Sequence, residues 1–173
     1  MALNGNNLAH KKIIDQYQIS VRRTVVGMLG ICPEADEVTQ DVFIRFFKSM
    51  HKFRFESKLG TYLTRVAINL SLNELKRRKR MFSLFSRSDN EYPIQLSDPS
   101  MSPERQDIQD AIEYGLKKLD PDFRSVIVLR LVQGYSVKET SDILGIPIGT
   151  VASRLARAQE KLTKIIKPHF SNR

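Results

Sequence analysis

Apolar residues in this chain recur at every third or fourth position, and nowhere do they alternate for long with polar ones. That spacing lines one face of a helix and does not suit a half-buried strand, so the expected fold class is all-α. Ile14, Tyr17, Val21, Val25 and Leu29 form one apolar face, ended by Gly30 and Pro33. Ala35, Val38, Val42, Phe46 and Met50 form a second, widened by Phe43 and Phe47. Glu34, Asp36 and Glu37 fall in the first turn of that helix, where the macrodipole favours anions. After the short loop 53–58, Leu59, Leu63, Val66, Ala67 and Leu70 form a third. Three helices joined by short loops predict a small bundle.

The C-terminal part carries start and stop signals of its own. Asp120-Pro121 reads as an N-cap followed by Pro at the first helical position. The helix it opens carries Phe123, Val126, Ile127 and Leu131 and ends near Gly134. Ser136 and Glu139 have the spacing of a capping box, in which the hydroxyl and the carboxylate each take the other residue's amide. That helix stops at Gly145, and the turn Gly145-Ile146-Pro147 leads to a last helix from Ile148 until Pro168. A capped short helix, a glycine turn and a longer basic helix predict a helix-turn-helix. Its second helix lies in the major groove with its first residues at the base edges. Here those are Thr150, Ala152, Ser153, Arg154 and Arg157, while Val151, Leu155 and Ala158 form the buried face. A plain helical hairpin is the alternative.

Between these parts, residues 91–108 carry Pro93, Pro99, Pro103 and several serines without sustained periodicity. They read as a flexible linker, dividing the chain into domains at 1–90 and 109–173. The net charges of the three stretches are +8, −3 and +4, within +9 over 173 residues. Two basic blocks on an acidic tether point to a polyanion, with nucleic acid the first choice. A linker from Ser88 to Gln109 could extend to about 75 Å, enough for DNA sites two helical turns apart at about 34 Å per turn. The run Lys76-Arg77-Arg78-Lys79-Arg80 needs solvent or a polyanion around it. Arg65, Asn69, Asn73 and Lys76 share one face of the same helix, and amides on a basic face can read base edges.

Other function classes lack their parts. Cys32 is the only cysteine, so neither an internal disulfide nor a cysteine zinc site can form. His10, His51 and His169 have no ligand spacing. No phosphate-binding glycine loop, zinc-protease or nucleophile-elbow motif is present. The expectation is no catalytic residue, no metal and no cofactor. No apolar run approaches the roughly 18 residues of a membrane span, and the N-terminal stretch has no signal-peptide core. A soluble cytoplasmic protein without membrane insertion is expected.

The same residues resemble a known family. Glu34 through Arg45 is similar to region 2.2 of bacterial sigma factors, Thr61 through Asn69 to their region 2.3–2.4, and Lys76–Arg80 to the basic end of that segment. Leu119 through Leu155 resembles region 4. The two-domain layout without a large insertion resembles the extracytoplasmic-function (ECF) group. The resemblance implies binding to core RNA polymerase, through the β′ clamp helices and the β flap, recognition of the promoter −35 and −10 elements, and help in opening the duplex. It places Glu37, Gln40 and Asp41 on the clamp helices. It places Arg65, Asn69, Asn73, Lys76, Arg77 and Arg78 at the −10 element, with the two asparagines near a flipped base. Arg130, Thr150, Ser153, Arg154 and Arg157 fall at the −35 element. An anti-sigma factor is a further possible partner in this group.

Three positions depart from the family pattern. Tyr62 stands where Trp is usual and Ala152 where Lys or Arg is usual, and Thr140 and Ser141 replace an apolar-small pair. The last change should weaken packing by about 1 kcal/mol, as a polar group there must still find a partner. The competing function is a helix-turn-helix regulator that acts without being a polymerase subunit.

Overall fold

A computed structural model describes residues 7–52, 58–85 and 103–170, and among these all regular structure is helical. The N-terminal half holds α1 (Asn7–Leu29), α2 (Pro33–Ser49) with a short 3-10 turn at Met50–Lys52, and α3 (Leu59–Phe85). The C-terminal half holds α4 (Pro103–Lys118), α5 (Pro121–Ile127), a π turn at Val128–Val132, α6 (Val137–Leu144) and α7 (Ile148–Phe170).

The apolar stripes read from the sequence pack as expected. Val21, Val25, Met28 and Leu29 of α1 meet Ala35, Val38, Val42, Phe43 and Phe46 of α2 and Leu63, Ala67, Ile68 and Leu70 of α3 in one buried cluster. Each fully buried large side chain is worth roughly 1.5–3 kcal/mol, which explains why the long helices hold together despite their charged outer faces. Tyr62, where the resemblance would put Trp, keeps an aromatic contact: its ring meets Phe46 edge-on at 6.0 Å. A second cluster of Leu116, Leu119, Ile127 and Ala158, with Phe123, Leu155, Leu162 and Ile165 packed against it, is the core of the C-terminal half.

Four observations modify the sequence reading. The tether 91–102 lies outside the described residues, but α4 already begins at Pro103, ahead of the boundary read at 109. The helix opened by Asp120-Pro121 passes into a π turn at Val128, which leaves Leu131 55% exposed rather than inside. The last helix does not stop at Pro168 but continues to Phe170. Finally, the two halves are docked. Val128, Leu129 and Ile143 belong to the same buried cluster as α1, α2 and α3.

The seam between the halves is tight. Gly27 of α1 faces Val128, and a Cβ on Gly27 would stand 2.9 Å from a Val128 methyl. A side chain at position 27 would force the Val128 side chain to shift. Polar groups fasten the same seam. Arg124, 5% exposed, donates to the Met28 carbonyl at 2.5 Å and to the Lys117 and Leu119 carbonyls at 2.6 and 2.9 Å. Burial, followed by the nearby charge of Arg78, lowers the Arg124 pKa to about 10. The Glu113 carboxylate of α4 accepts from the Ile31 amide at 3.0 Å. Gln133 accepts from the Ser20 hydroxyl and donates to the Ser20 carbonyl, both at 3.1 Å.

Candidate nucleic-acid interface

The helix-turn-helix forms as its local chemistry dictates. The Ser136 hydroxyl accepts from the Glu139 amide at 3.1 Å, and Glu139 accepts from the Ser136 amide at 2.8 Å. That backbone hydrogen bond lowers the Glu139 pKa and keeps the cap charged. Gly145 closes α6 at φ +66°, a left-handed position that glycine takes without strain. Its amide donates to the Ser141 carbonyl at 2.8 Å, and the Ser141 hydroxyl donates to the Ile146 carbonyl. Ser141 therefore has a partner within the turn. Thr140 does not: it is fully buried and its hydroxyl oxygen has no hydrogen-bond partner among the described residues.

On α7, Val151 and Ala158 are fully buried while Ala152, Ser153 and Arg157 face outward. Thr150 is half-buried, and its carbonyl accepts from the Ser153 hydroxyl at 3.1 Å. Arg154 is held by a residue that the sequence reading passes over: its guanidinium lies 2.9 Å from Asp122 at the start of α5. Arg130 sits half-buried below the surface, donating to the Tyr135 carbonyl and so bracing the loop before α6. Ser153 and Arg157 are thus exposed on α7 with Arg154 half-buried between them, while Arg130 lies in the preceding π turn against the Tyr135 carbonyl.

The α3 face divides in the same way. Asn69, Asn73 and Lys76 are exposed in line along the helix. Arg65, one turn earlier, donates to the Asp142 carbonyl of α6 at 2.9 Å. The basic run is not five open cations. Glu74 accepts from Arg77 at 2.7 and 2.8 Å and from Arg78 at 3.1 Å. Arg78 also donates to Glu34 at 3.2 Å and to the Cys32 sulfur at 3.1 Å. The Arg77 hydrogen bonds hold the Glu74 pKa below its ordinary value, against the opposing effect of burial. Lys76, Lys79 and Arg80 remain exposed. Glu74 is legible only once the chain is helical, since it reaches Arg77 and Arg78 at i+3 and i+4.

Glu37, Gln40 and Asp41 all lie on the outer side of α2, and all three are exposed. One turn further along, Ile44 is 46% exposed. It adds an exposed apolar side chain at the end of a polar, acidic surface, a combination that suits a protein-docking patch. Among the described residues no cluster of His, Cys, Asp and Glu could hold a metal ion, and no helix is long and apolar enough to cross a membrane.

Known proteins share both halves. Residues 13–81 match the sigma-70 region 2 family and residues 109–162 match the sigma-70 region 4 family. The chain is 31% identical to the RNA polymerase sigma-H factor of Pseudomonas aeruginosa, over 95% of this chain and 89% of that protein. It is 29% identical to the ECF RNA polymerase sigma factor SigW of Bacillus subtilis, over 94% and 91%. Among solved structures, it resembles the sigma factor RpoE from Bartonella quintana, solved with the anti-sigma factor NepR. The TM-score is 0.76 at 22% identity, covering 91% of this chain and 96% of that one. CnrH, solved with the cytosolic domain of CnrY, follows with a TM-score of 0.69 at 21% identity, covering 96% and 93%.

Proposed function

The chain belongs to the ECF sigma factors of the sigma-70 family, and from that premise we propose how its surfaces divide the work of initiation. It is an RNA polymerase sigma factor, which binds core polymerase and directs promoter-specific transcription. We assign residues 1–90 to polymerase and −10 binding and residues 109–173 to −35 binding, with the linker between them. Glu37, Gln40 and Asp41, with Ile44 one turn beyond them, form the surface for the β′ clamp helices. An acidic, polar patch bordered by an apolar side chain suits a basic protein partner.

Asn69 and Asn73 hold the opened −10 strand, with Lys76 at hand for its phosphates. Unstacked bases expose edges that amides can bind, and a basic groove follows the backbone. Arg65, Arg77 and Arg78 join this face by exchanging their present partners for DNA. On α7, Thr150, Ser153, Arg154 and Arg157 read the paired −35 element, where an arginine in the major groove can bond a guanine twice. Arg130 joins the −35 surface by exchanging its bond to the Tyr135 carbonyl for a DNA phosphate. The protein contributes binding and strand opening and leaves catalysis to the polymerase. It acts in the cytoplasm, and an anti-sigma factor is a partner consistent with the relatives above.

The observation that carries this reading is the open, basic start of α7 behind a fully formed capping box and glycine turn. The test is reconstitution. Core RNA polymerase with this protein should give discrete run-off transcripts from promoters selected out of a random template pool. Core alone, or core with a chain truncated before α6, should give none. Equal output with and without the protein would refute the reading.

A further inference from the structure

We propose that Asp122, on α5 and outside the helix-turn-helix, is a positioning residue for −35 recognition. It holds the Arg154 guanidinium in the place from which it bonds a guanine edge, and so sets the base preference at one promoter position. The inference deepens the −35 assignment above and rests on it.

The two side chains come from different helices. Asp122 stands in the first turn of α5 and Arg154 in the second turn of α7, and Nη2 of Arg154 lies 2.9 Å from the carboxylate. The pair is at the surface, with the Arg154 side chain 30% exposed and that of Asp122 63%. An ion pair so open to water adds little to stability. Its consequence is where the guanidinium is held. Arginine has many rotamers, and a free one gives up that freedom when it meets a base. Arg154 has given up part of it before DNA arrives. A guanidinium carries five N–H donors in one rigid fork, so a carboxylate at Nη2 leaves enough of them for the paired contact with O6 and N7 of guanine. The carboxylate also repels a phosphate brought close to it, which keeps Arg154 for the base edge.

The junction of α5 and α7 carries a second ion pair, away from the reading end. Lys161 Nζ lies 3.3 Å from the Asp120 carboxylate and 4.5 Å from the centre of the Phe123 ring. Arg154 and Lys161 are seven residues apart, two turns along one face of α7. Ala158, between them, is fully buried in the C-terminal core. Asp120 and Asp122 therefore both match the start of α5 to α7, but only Asp122 meets a side chain near the base-reading end. If α5 needed anchoring alone, loss of either carboxylate would have the same effect. Asp120 is thus a built-in control for Asp122: the same charge at the same junction, two turns of α7 away from the reader.

The test uses holoenzymes assembled from core RNA polymerase and the full chain. Closed binding is measured on a promoter selected with the native holoenzyme and on versions with each −35 base pair replaced in turn. The position read by Arg154 is the one at which Arg154→Ala removes a preference for G·C. There the native protein should prefer G·C by about tenfold, as for one good base contact. Asp122→Asn, which keeps the size of the side chain, should cut that preference by about fivefold and leave the other −35 positions as they are. Asp120→Asn should leave it intact. In an Arg154→Ala background, Asp122→Asn should change no base preference further. Should the Asp122→Asn chain fail to fold, Asp122→Ser is read in the same way. Undiminished preference with Asp122→Asn, equal loss with Asp120→Asn, or one common factor on every promoter overturns the inference, because the carboxylate then acts only as a charge or an anchor. If Arg154→Ala removes no base preference, the inference falls with the role of Arg154, and the sigma reading stands. No promoter-specific complex with the native chain overturns both.

Discussion

The hydroxyl oxygens of Thr64 and Tyr135 lie 2.9 Å apart although 71 positions separate the two residues in the chain. One sits on α3 and the other in the loop before α6, so this bond belongs to the seam between the halves. Removing the phenolic hydroxyl by Tyr135→Phe should cost about 1–2 kcal/mol, the effect of a lost bond with its partner left buried. Thr64→Val added to that variant should cost almost nothing more. Urea unfolding of the native chain, the two single variants and the double variant measures the coupling, and additive losses would show that the bond contributes nothing.

Asp41→Arg should weaken holoenzyme formation without unfolding the protein. The side chain is exposed on α2 beside Glu37, Gln40 and Ile44, so the core does not depend on it. Charge reversal in a complementary surface costs binding and slows association. Co-purification with core polymerase should fall at least tenfold while the circular dichroism melting curve is kept. Undiminished co-purification would remove Asp41 from the docking surface.

Acid should loosen the end of α3. Glu74 accepts from Arg77 and Arg78, and the Arg77 bonds hold its pKa below the usual carboxylate value. A carboxylate with a lowered folded pKa stabilises the fold above its unfolded pKa, and this contribution is lost as pH falls through the folded value. The melting temperature should therefore drop between about pH 5 and about pH 3, and Glu74→Gln should flatten part of that drop. At neutral pH the same variant frees two guanidinium groups, so its non-specific DNA affinity should rise and become steeper in salt. A pH profile identical to the native one would contradict this account.

The parts legible in the sequence are those with local rules. Ser136 and Glu139 find each other across one turn, Gly145 ends α6 because of its own φ, and the apolar stripes of α1, α2 and α3 repeat with the helix period. The start of α4 escapes such a reading because its prolines and acidic residues hide a buried side made of little more than Ala111, Leu116 and the following Leu119. The docking of the two halves leaves no periodic trace. Ser20, Thr64, Gln133 and Tyr135 are ordinary polar residues until they meet, and Gly27 reads as a weak point in a helix rather than a point of close approach. At the candidate site, exposed residues such as Asn69, Asn73 and Arg157 can be placed by helical spacing alone. The pairing of Arg154 with Asp122 and of Arg65 with Asp142 cannot, because it depends on tertiary contacts.

In the proposed division of labour the α3 face serves the opened −10 strand and the start of α7 serves the paired −35 duplex. Permanganate footprinting beside gel-shift binding, with holoenzymes carrying Asn69→Ala or Arg154→Ala, tests it most directly. Asn69→Ala should bind duplex promoter nearly as well as the native protein but show reduced permanganate reactivity in the −10 region, and a pre-melted −10 template should not restore base-specific capture. Arg154→Ala should lose about 1–3 kcal/mol of closed binding if it makes a bidentate base contact, and should open DNA normally once bound. Equal loss of closed binding by both variants, with normal opening in each, would contradict the division of labour.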